Sequence, residues 1–487
     1  MTPVPAPPER TGADTAAAGP VTWTPGVRWR SGRVALGGSP WSVTVVPEGM
    51  RAFADRARAT APDSVTAEAD SERAAARFLL DRGLVHPTPA ERATVDDVEV
   101  VVPVYGDPGP LERCLASLTA DGLPVTVVDD ASPEPHAGRI AEIATAAGAR
   151  LVRHDVNTGP GGARNTGLAR TSAPFVAFLD ADALADPGWI GRLRPVLDDE
   201  RIGAVGPRVR PDVRGASAVE LYEETRSELD MGAVPSKVVH GVPVGWLPSA
   251  AVLVRRSACS SPAFEPGLRV GEDVDLFWRM DETGWTVRYA PHVLAYHEVR
   301  LSWKDFVSRR AMYGKSAAHL EKRHPGRLTP ASPSVSGLAV LAALSTGHPV
   351  VATAVAAYEL ARQRAILDAE VPLPVVAEVA GHSMGSDNFW AGHLLRRDWW
   401  PVGWAVLALT PRSRLARGVA AAMMWEPVRD HLLAPTRLDP VRSLGMRLLD
   451  DASYGSGVIR NAIRQRVPAV VTPRPRLPLW PTRSGDV

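Results

Sequence analysis

Three apolar runs that end in aspartate or tyrosine constrain this chain more than any other feature: VEVVVPVY from Val98, VTVVDDAS from Val125 and APFVAFLDAD from Ala173. A strand covered by helices on both sheet faces is continuously apolar rather than alternating. Between these runs lie helical stretches over Gly109–Gly122, Arg139–Gly148 and Asn165–Arg170, and ARLVRH adds a short strand. Strands and helices alternating at these lengths predict an α/β fold with a parallel sheet and right-handed crossovers. Polar residues gather at the carboxyl ends of its strands: Tyr105, Asp129, Asp130, Asp180 and Asp182. Open α/β sheets bind their ligands at that edge.

A length of 487 residues predicts two or three domains, and the texture of the chain says where they divide. Residues 1–20, rich in Pro, Ala and Thr, read as a disordered leader with no secretory pattern. Residues 21–92 hold a hairpin, VRWRSGRVALGGSPWSVTVV, then helices around Gly49–Ala59 and Ser71–Arg82, with Gly83 as a C-cap. The α/β domain is expected over 96–325, followed by a helical, apolar region over 326–487. Leu328–Tyr358 carries no formal charge and is long enough to span a bilayer, although His348-Pro349 interrupts it. WWPVGWAVLALTP places Trp399, Trp400 and Trp404 just after Arg396 and Arg397, a pairing suited to a membrane interface. An Ala-rich helical subdomain packed on itself is the plainer reading of the same residues.

Charge and cysteine exclude several classes. The net charge of +1 rules out a whole-molecule electrostatic nucleic-acid binder. From Arg396 onward, however, 15 arginines face 7 acidic residues, a basic tail that could meet anionic lipid heads. Cys114 and Cys259 show neither a disulfide framework nor metal-ligand spacing, which fits a reducing cytoplasm, with the inner face of the cell membrane as a possible surface of association.

The acidic motifs carry the chemistry. Asp180 and Asp182, two positions apart past a buried strand, can hold one hard cation, Mg2+ or Mn2+, against a diphosphate. An aspartate in VVDDAS can accept from a uracil N–H. Between them NTGPGGARNTG offers Gly159, Gly161 and Gly162 for turns close to a ligand, and Arg164 to meet a phosphate or support the aspartates. It is neither a P-loop nor a dinucleotide fingerprint. In GEDVDLFWRM, Glu272, Asp273 and Asp275 crowd three carboxylates into four positions, so repulsion should raise at least one pKa toward that of a general base; an exposed acidic helix start is the alternative.

The ordered set VVPVY, VVDDAS, NTGPGGARNTG, FLDAD and GEDVDL resembles the family 2 glycosyltransferases with the GT-A fold, over roughly Asp96–Pro325. That resemblance implies a nucleotide-diphosphate sugar donor, a metal held by Asp180 and Asp182, and inversion at the anomeric carbon. It places Pro103, Tyr105, Asp129 or Asp130, Asn157, Gly159, Arg164 and Asp180 on the donor side. Asp273 becomes the base, and His297 in LAYHEVRLSW a late metal or phosphate contact. Arg300, Arg309 or Arg310 could help hold the diphosphate, or simply pair with acidic neighbours.

Residues 21–92 resemble the PqqD-like, winged-helix-like peptide-binding modules of modified-peptide pathways, most visibly in GRVALGGSPWSVTVV and FLLDRGLV. With GWLPSAAVLVRR, VGEDVDLFWRM and RRAMYGKSAAHL, the layout is similar to the mycofactocin-system branch of the family. This implies UDP-glucose as donor, a peptide-derived small-molecule acceptor and a β-1,4-linked glucose chain. Trp246 would stack on the acceptor, and the first module would contact a precursor peptide or pathway protein. The processive signature QxxRW is missing, so extension would be distributive or differently controlled. A lipid-linked or cell-envelope glycan acceptor is the rival enzymatic reading. A non-enzymatic peptide-binding protein would leave the aspartate series unexplained, and a nucleotidyltransferase would need a Gly-rich loop that VVPVYGDPGP lacks.

Overall fold

The computed structural model describes residues 19–30, 32–299, 302–433 and 436–477; the leader expected at the N-terminus and Arg300 lie largely or wholly outside them. The chain forms two compact units: Met1–Val213 with Arg226–Val299, and Arg214–Thr225 with Arg300–Val487.

The first unit opens with a small module. β1 (Val21–Trp23) pairs antiparallel with β5 (Val85–Pro87), while β2 (Arg28–Trp29), β3 (Val34–Gly37) and β4 (Ser42–Val45) form a three-stranded antiparallel sheet. Helices α1 (Glu48–Thr60) and α2 (Asp70–Asp81) pack Phe53, Leu79 and Leu80 against Val21, Trp23 and Val85. The module is fixed to the larger domain by the Ser39 hydroxyl, which donates to Lys237 O (2.7 Å), and by the Arg77–Asp199 ion pair (3.0 Å).

Among the described residues the main sheet has nine strands: β6 (Val98–Val104), β7 (Val125–Asp129), β8 (Arg150–Arg153), β9 (Phe175–Leu179), β10 (Ala183–Ala185), β11 (Ile202–Asp212), β12 (Ser236–Val238), β13 (Ala251–Arg255) and β14 (Thr286–Glu298). Their order is β10-β14-β11-β13-β9-β6-β7-β8, with β12 added to β14. The sheet is mostly parallel, with β10, β12 and β13 running against the other six. The mostly parallel sheet expected from the sequence is what forms; its unbroken parallel run is β8-β7-β6-β9, whose crossovers carry α3 (Gly109–Leu118), α4 (His136–Ala146) and α5 (Gly159–Arg170). Only Asp180–Asp182 separate β9 from β10, too few residues for a crossover. β10 instead pairs with β14 at the far edge, and α6 (Trp189–Leu193) follows it.

The buried valines of β6 and β7 meet Leu111, Leu115 and Ile140 on one sheet face. On the other, Val101, Phe178 and Val252 meet Phe264 and Phe277, the latter on α8 (Glu272–Glu282).

The second unit is helical. It contains most of α7 (Ala218–Arg226), then α9 (Trp303–Arg323), α10 (Val335–Thr346), α11 (Pro349–Ile366), α12 (Leu373–Arg396), α13 (Trp400–Leu409), α14 (Arg414–Leu433) and α15 (Pro440–Gln465). Although α9 falls in the 96–325 range expected for the α/β domain, it packs along α15. A Cβ on Gly314 would collide with Tyr454 O, and one on Gly457 with Ala311 O, so glycine is what lets these two backbones touch. The uncharged Leu328–Tyr358 stretch breaks at Gly347-His348 into α10 and α11. Among the described residues no helix is long and apolar enough to cross a membrane.

Candidate active site

The tip of β7 organises the loop opposite it. Oδ1 of the buried Asp130 accepts from the Thr158 amide (2.8 Å) and hydroxyl (2.9 Å), and lies 2.8 Å from His154 Nδ1; Oδ2 accepts from the Gly159 amide (2.8 Å). Burial alone would raise this carboxyl's pKa, but the hydrogen bonds outweigh it and hold the group below its ordinary value. A carboxylate aimed at unpaired amides stabilises a helix N-terminus. α5 accordingly starts at Gly159, six residues before the sequence-based expectation at Asn165, and the Gly-rich stretch is its first turn rather than a loop. A Cβ on Gly161 would sit 3.2 Å from Phe264 Cβ and 3.4 Å from Glu272 Cγ, so glycine lets α5 lie against both.

Neighbouring Asp129 is also buried, but differently engaged. Its Oδ1 accepts from the Ser132 amide (2.9 Å), while among the described residues Oδ2 accepts no hydrogen bond and lies 3.4 Å from Arg153 Nε.

Arg164, fully buried on α5, joins two acidic motifs. It donates from one terminal nitrogen to Glu272 Oε1 (2.9 Å) and from the other to Asp180 Oδ1 (2.5 Å). Burial opposes its charge, but Asp180 and Glu272 more than compensate and raise its pKa. The turn after β9 points Asp180 and Asp182 the same way, and the β10/β14 register sets Ala183 opposite His297. His297 Nε2 lies 3.1 Å from Asp182 Oδ1. Ligand atoms from Asp180, Asp182 and His297 all fall within 4.8 Å of one another, and the three residues are half-buried. Two carboxylates and an imidazole at this spacing fit a divalent cation that accepts oxygen and nitrogen donors.

The third motif opens α8, after Gly271. Glu272 is buried against Arg164. Asp273 is half-buried; its Oδ2 accepts from the Ser249 amide (3.4 Å) and its Oδ1 from the Val274 amide (2.8 Å). Burial, reinforced by repulsion from Glu272, pushes Asp273 up to about 7. Asp275 is wholly buried and accepts from Arg279 Nε (2.8 Å), a pairing that props α8 on the Ser260–Ala263 loop. Of the three crowded carboxylates, Asp273 thus has the near-neutral pKa, while Asp275 is committed to an arginine.

The family model described as Glycosyl transferase family 2 matches residues 99–247, and that described as Glycosyl transferase family group 2 matches 175–411. The pre-mycofactocin glycosyltransferase of Mycobacterium tuberculosis H37Rv is 34% identical over 462 residues, which cover 91% of this chain and 95% of the relative. This chain belongs to glycosyltransferase family 2. The N-acetylglucosaminyl-diphospho-decaprenol L-rhamnosyltransferase of M. tuberculosis H37Rv is 31% identical over 47% of this chain and 86% of its own. Among solved structures, a mannosyltransferase from Pyrobaculum calidifontis in complex with GDP-Man and Mn2+ aligns with 76% of this chain and 89% of its own, at 18% identity and a TM-score of 0.43.

In this family 2 glycosyltransferase the remaining expected residues are placed as follows. Pro103 is buried within β6, and Tyr105, just past its end, is 60% exposed. Asn157 donates to Asp130 O (3.1 Å). Trp246 is half-buried in the loop before β13, three residues from Ser249. Arg310 lies in the helical unit, buried and paired with Glu223 (2.6 Å) and Asp450 (3.0 Å), the plainer of its two expected roles. Sequence reasoning missed His154, Ser249 and Arg269. Arg269 donates to Asn157 Oδ1 (2.9 Å), tying the loop before α5 to the one before α8. Its place in LRVGED, beside the acidic motif, was the available signal; His154 and Ser249 carry none.

Proposed function

We propose that this family 2 glycosyltransferase is a metal-dependent, inverting enzyme that transfers glucose from UDP-glucose to a peptide-derived redox cofactor precursor in mycofactocin biosynthesis, building a β-1,4-linked chain. The observation that carries this reading is the convergence of Asp180, Asp182 and His297 beside the Arg164–Glu272 pair, with Asp273 following Glu272. The acceptor and pathway rest on likeness to the pre-mycofactocin enzyme along nearly its full length.

Asp180, Asp182 and His297 would hold Mg2+ or Mn2+. When bound, such an ion supplies positive charge for the diphosphate leaving group. Arg164 donates to one oxygen of Asp180 and so steadies that carboxylate beside Asp182 and His297. Tyr105 offers an exposed ring to the nucleoside, and Asp129 Oδ2, which accepts no hydrogen bond, has a valence for a uracil N–H. Asp130 and Asn157 shape the donor loop rather than touching the donor. Asp273 takes the proton of the acceptor hydroxyl as its oxygen bonds to C1 and the C1–O bond to the diphosphate breaks. Trp246 stacks on the acceptor. The N-terminal module contacts a precursor peptide or pathway protein.

Mass spectrometry of the product from UDP-glucose and the deaminated peptide-derived acceptor tests the assignment. A ladder of hexose additions is expected, with UDP released; no addition unless a polyprenyl-phosphate acceptor is supplied would overturn it in favour of a lipid-linked glycan.

A further inference from the structure

Large apolar side chains are unevenly exposed in this molecule. Among the described residues of the first unit only Trp41, Tyr105, Val156 and Val234 stand out, whereas the helical unit has many. Part of that exposure is drawn to one place by the helix turns. α10 ends and α11 begins at Gly347-His348, and the α13–α14 turn lies beside them. The Arg414 guanidinium comes within 3.9 Å of where a Gly347 Cβ would stand, and a Cβ on Gly418 would meet the Ser345 side chain. This end therefore gathers Leu344 (59% exposed), Val350 (81%), Val351 (53%), Leu409 (52%) and Leu415 (42%).

Its charge is one-sided. Residues 328–358 contain no charged side chain, and residues 399–425 contain Arg412, Arg414 and Arg417 but no acid. All three arginines are exposed, and among the described residues none has a carboxylate partner. Arginines left unpaired around projecting valines and leucines match a surface that is apolar beneath an anionic layer. We propose that this end of the helical unit docks on anionic lipid, with Val350 and Val351 entering the acyl boundary and the three arginines meeting phosphate headgroups. The helices lie at the surface, since among the described residues none is long and apolar enough to span. A soluble protein partner would be expected to bring acids to pair these arginines one by one; a lipid surface needs only their summed charge.

The test is flotation of the full chain with phosphatidylcholine vesicles, with and without phosphatidylglycerol, read beside sedimentation velocity without lipid. Binding is expected only with the anionic vesicles and should weaken with salt. The triple variant Arg412→Glu, Arg414→Glu, Arg417→Glu should weaken it about 100-fold, at roughly 5-fold for each arginine even before the added repulsion. Val350→Asp with Val351→Asp should abolish flotation while leaving hexose transfer to a soluble acceptor unchanged, because both side chains are exposed and outside the site. The proposal fails if the wild-type chain does not float with anionic vesicles, or if neither variant alters its flotation. A lipid-independent dimer dissolved by the same variants would assign the face to a second copy and overturn it equally.

Discussion

Two charge clusters in this molecule, one buried and one half-buried, use the same residue types and reach opposite states. In the helical unit, Arg396 bridges Glu426 and Asp451, Arg447 pairs with both as well, and His393 sits 3.1 Å from Glu426. Two guanidiniums face two carboxylates. Despite burial, His393 and Arg396 hold Glu426 down to about 2. At the sheet edge, Asp180, Glu272 and Asp273 share a single guanidinium, Arg164, and Asp273 is driven up to about 7. A balanced cluster of this kind holds helices together. A cluster left with surplus negative charge at the mouth of a sheet has capacity for a cation and a proton, the two roles that the proposed transfer assigns to it.

The largest effect should come from removing a carboxylate at the surplus. Asp182→Ala is expected to lower turnover by at least about 10,000-fold, several kcal/mol of barrier, and to abolish the response to added Mn2+. Thermal unfolding should barely change, because the cluster gains nothing from its own excess charge. Turnover close to wild type would erase the distinction between the clusters. Next comes Asp273. A base acts deprotonated, so kcat should rise with pH through about 7 and level above it. Asp273→Asn should flatten that rise and cost about 1,000-fold in kcat with donor affinity kept. A profile unchanged in the variant would move the proton transfer elsewhere.

Arg396→Met probes the balanced cluster with the opposite signature. It strands Glu426 and Asp451 without one of their partners and should cost about 3 kcal/mol of stability, with metal dependence intact. In the wild-type chain, Glu426 stays ionised far below its ordinary range, so this part of the stability persists at neutral pH and fades as pH falls toward about 2. A variant that melts normally but loses metal response would show that the clusters do not divide their roles.

The sheet was more legible in the sequence than the partners of its polar tips. Continuous apolar runs announced β6, β7 and β9, because burial on both faces leaves no other composition. Antiparallel β13 has the same composition, which is why composition does not say which strands run antiparallel. The start of α5 was misread because glycine and proline weigh against helix locally. Four hydrogen bonds or close contacts to Asp130, a residue nearly thirty positions away, outweigh that bias. His297 could be suspected from its motif alone, but its place beside Asp182 depends on the β10/β14 register, which follows from a three-residue turn. The Leu328–Tyr358 run looked long enough to cross a bilayer, and a single Gly347-His348-Pro349 break reduces it to two shorter helices.

The smallest predicted effect probes the rim of the acidic cluster. Arg269 sits just before Glu272 and Asp273 but points its charge at Asn157, donating to the side-chain oxygen (2.9 Å) and the backbone carbonyl (3.4 Å). It therefore orders the donor loop without neutralising a carboxylate. An exposed pair of hydrogen bonds is worth about 0.5–1 kcal/mol, so Arg269→Ala should raise the KM for UDP-glucose roughly 3-fold, with kcat and its pH profile little changed. Asn157→Ala removes the shared side-chain bond and its own bond to Asp130 O as well, so it should raise the KM somewhat further, and the double variant should cost less than the sum of the two single ones. A shift of the pH profile in Arg269→Ala would instead mean that this arginine contributes charge to Asp273, and the surplus would be smaller than three carboxylates on one guanidinium.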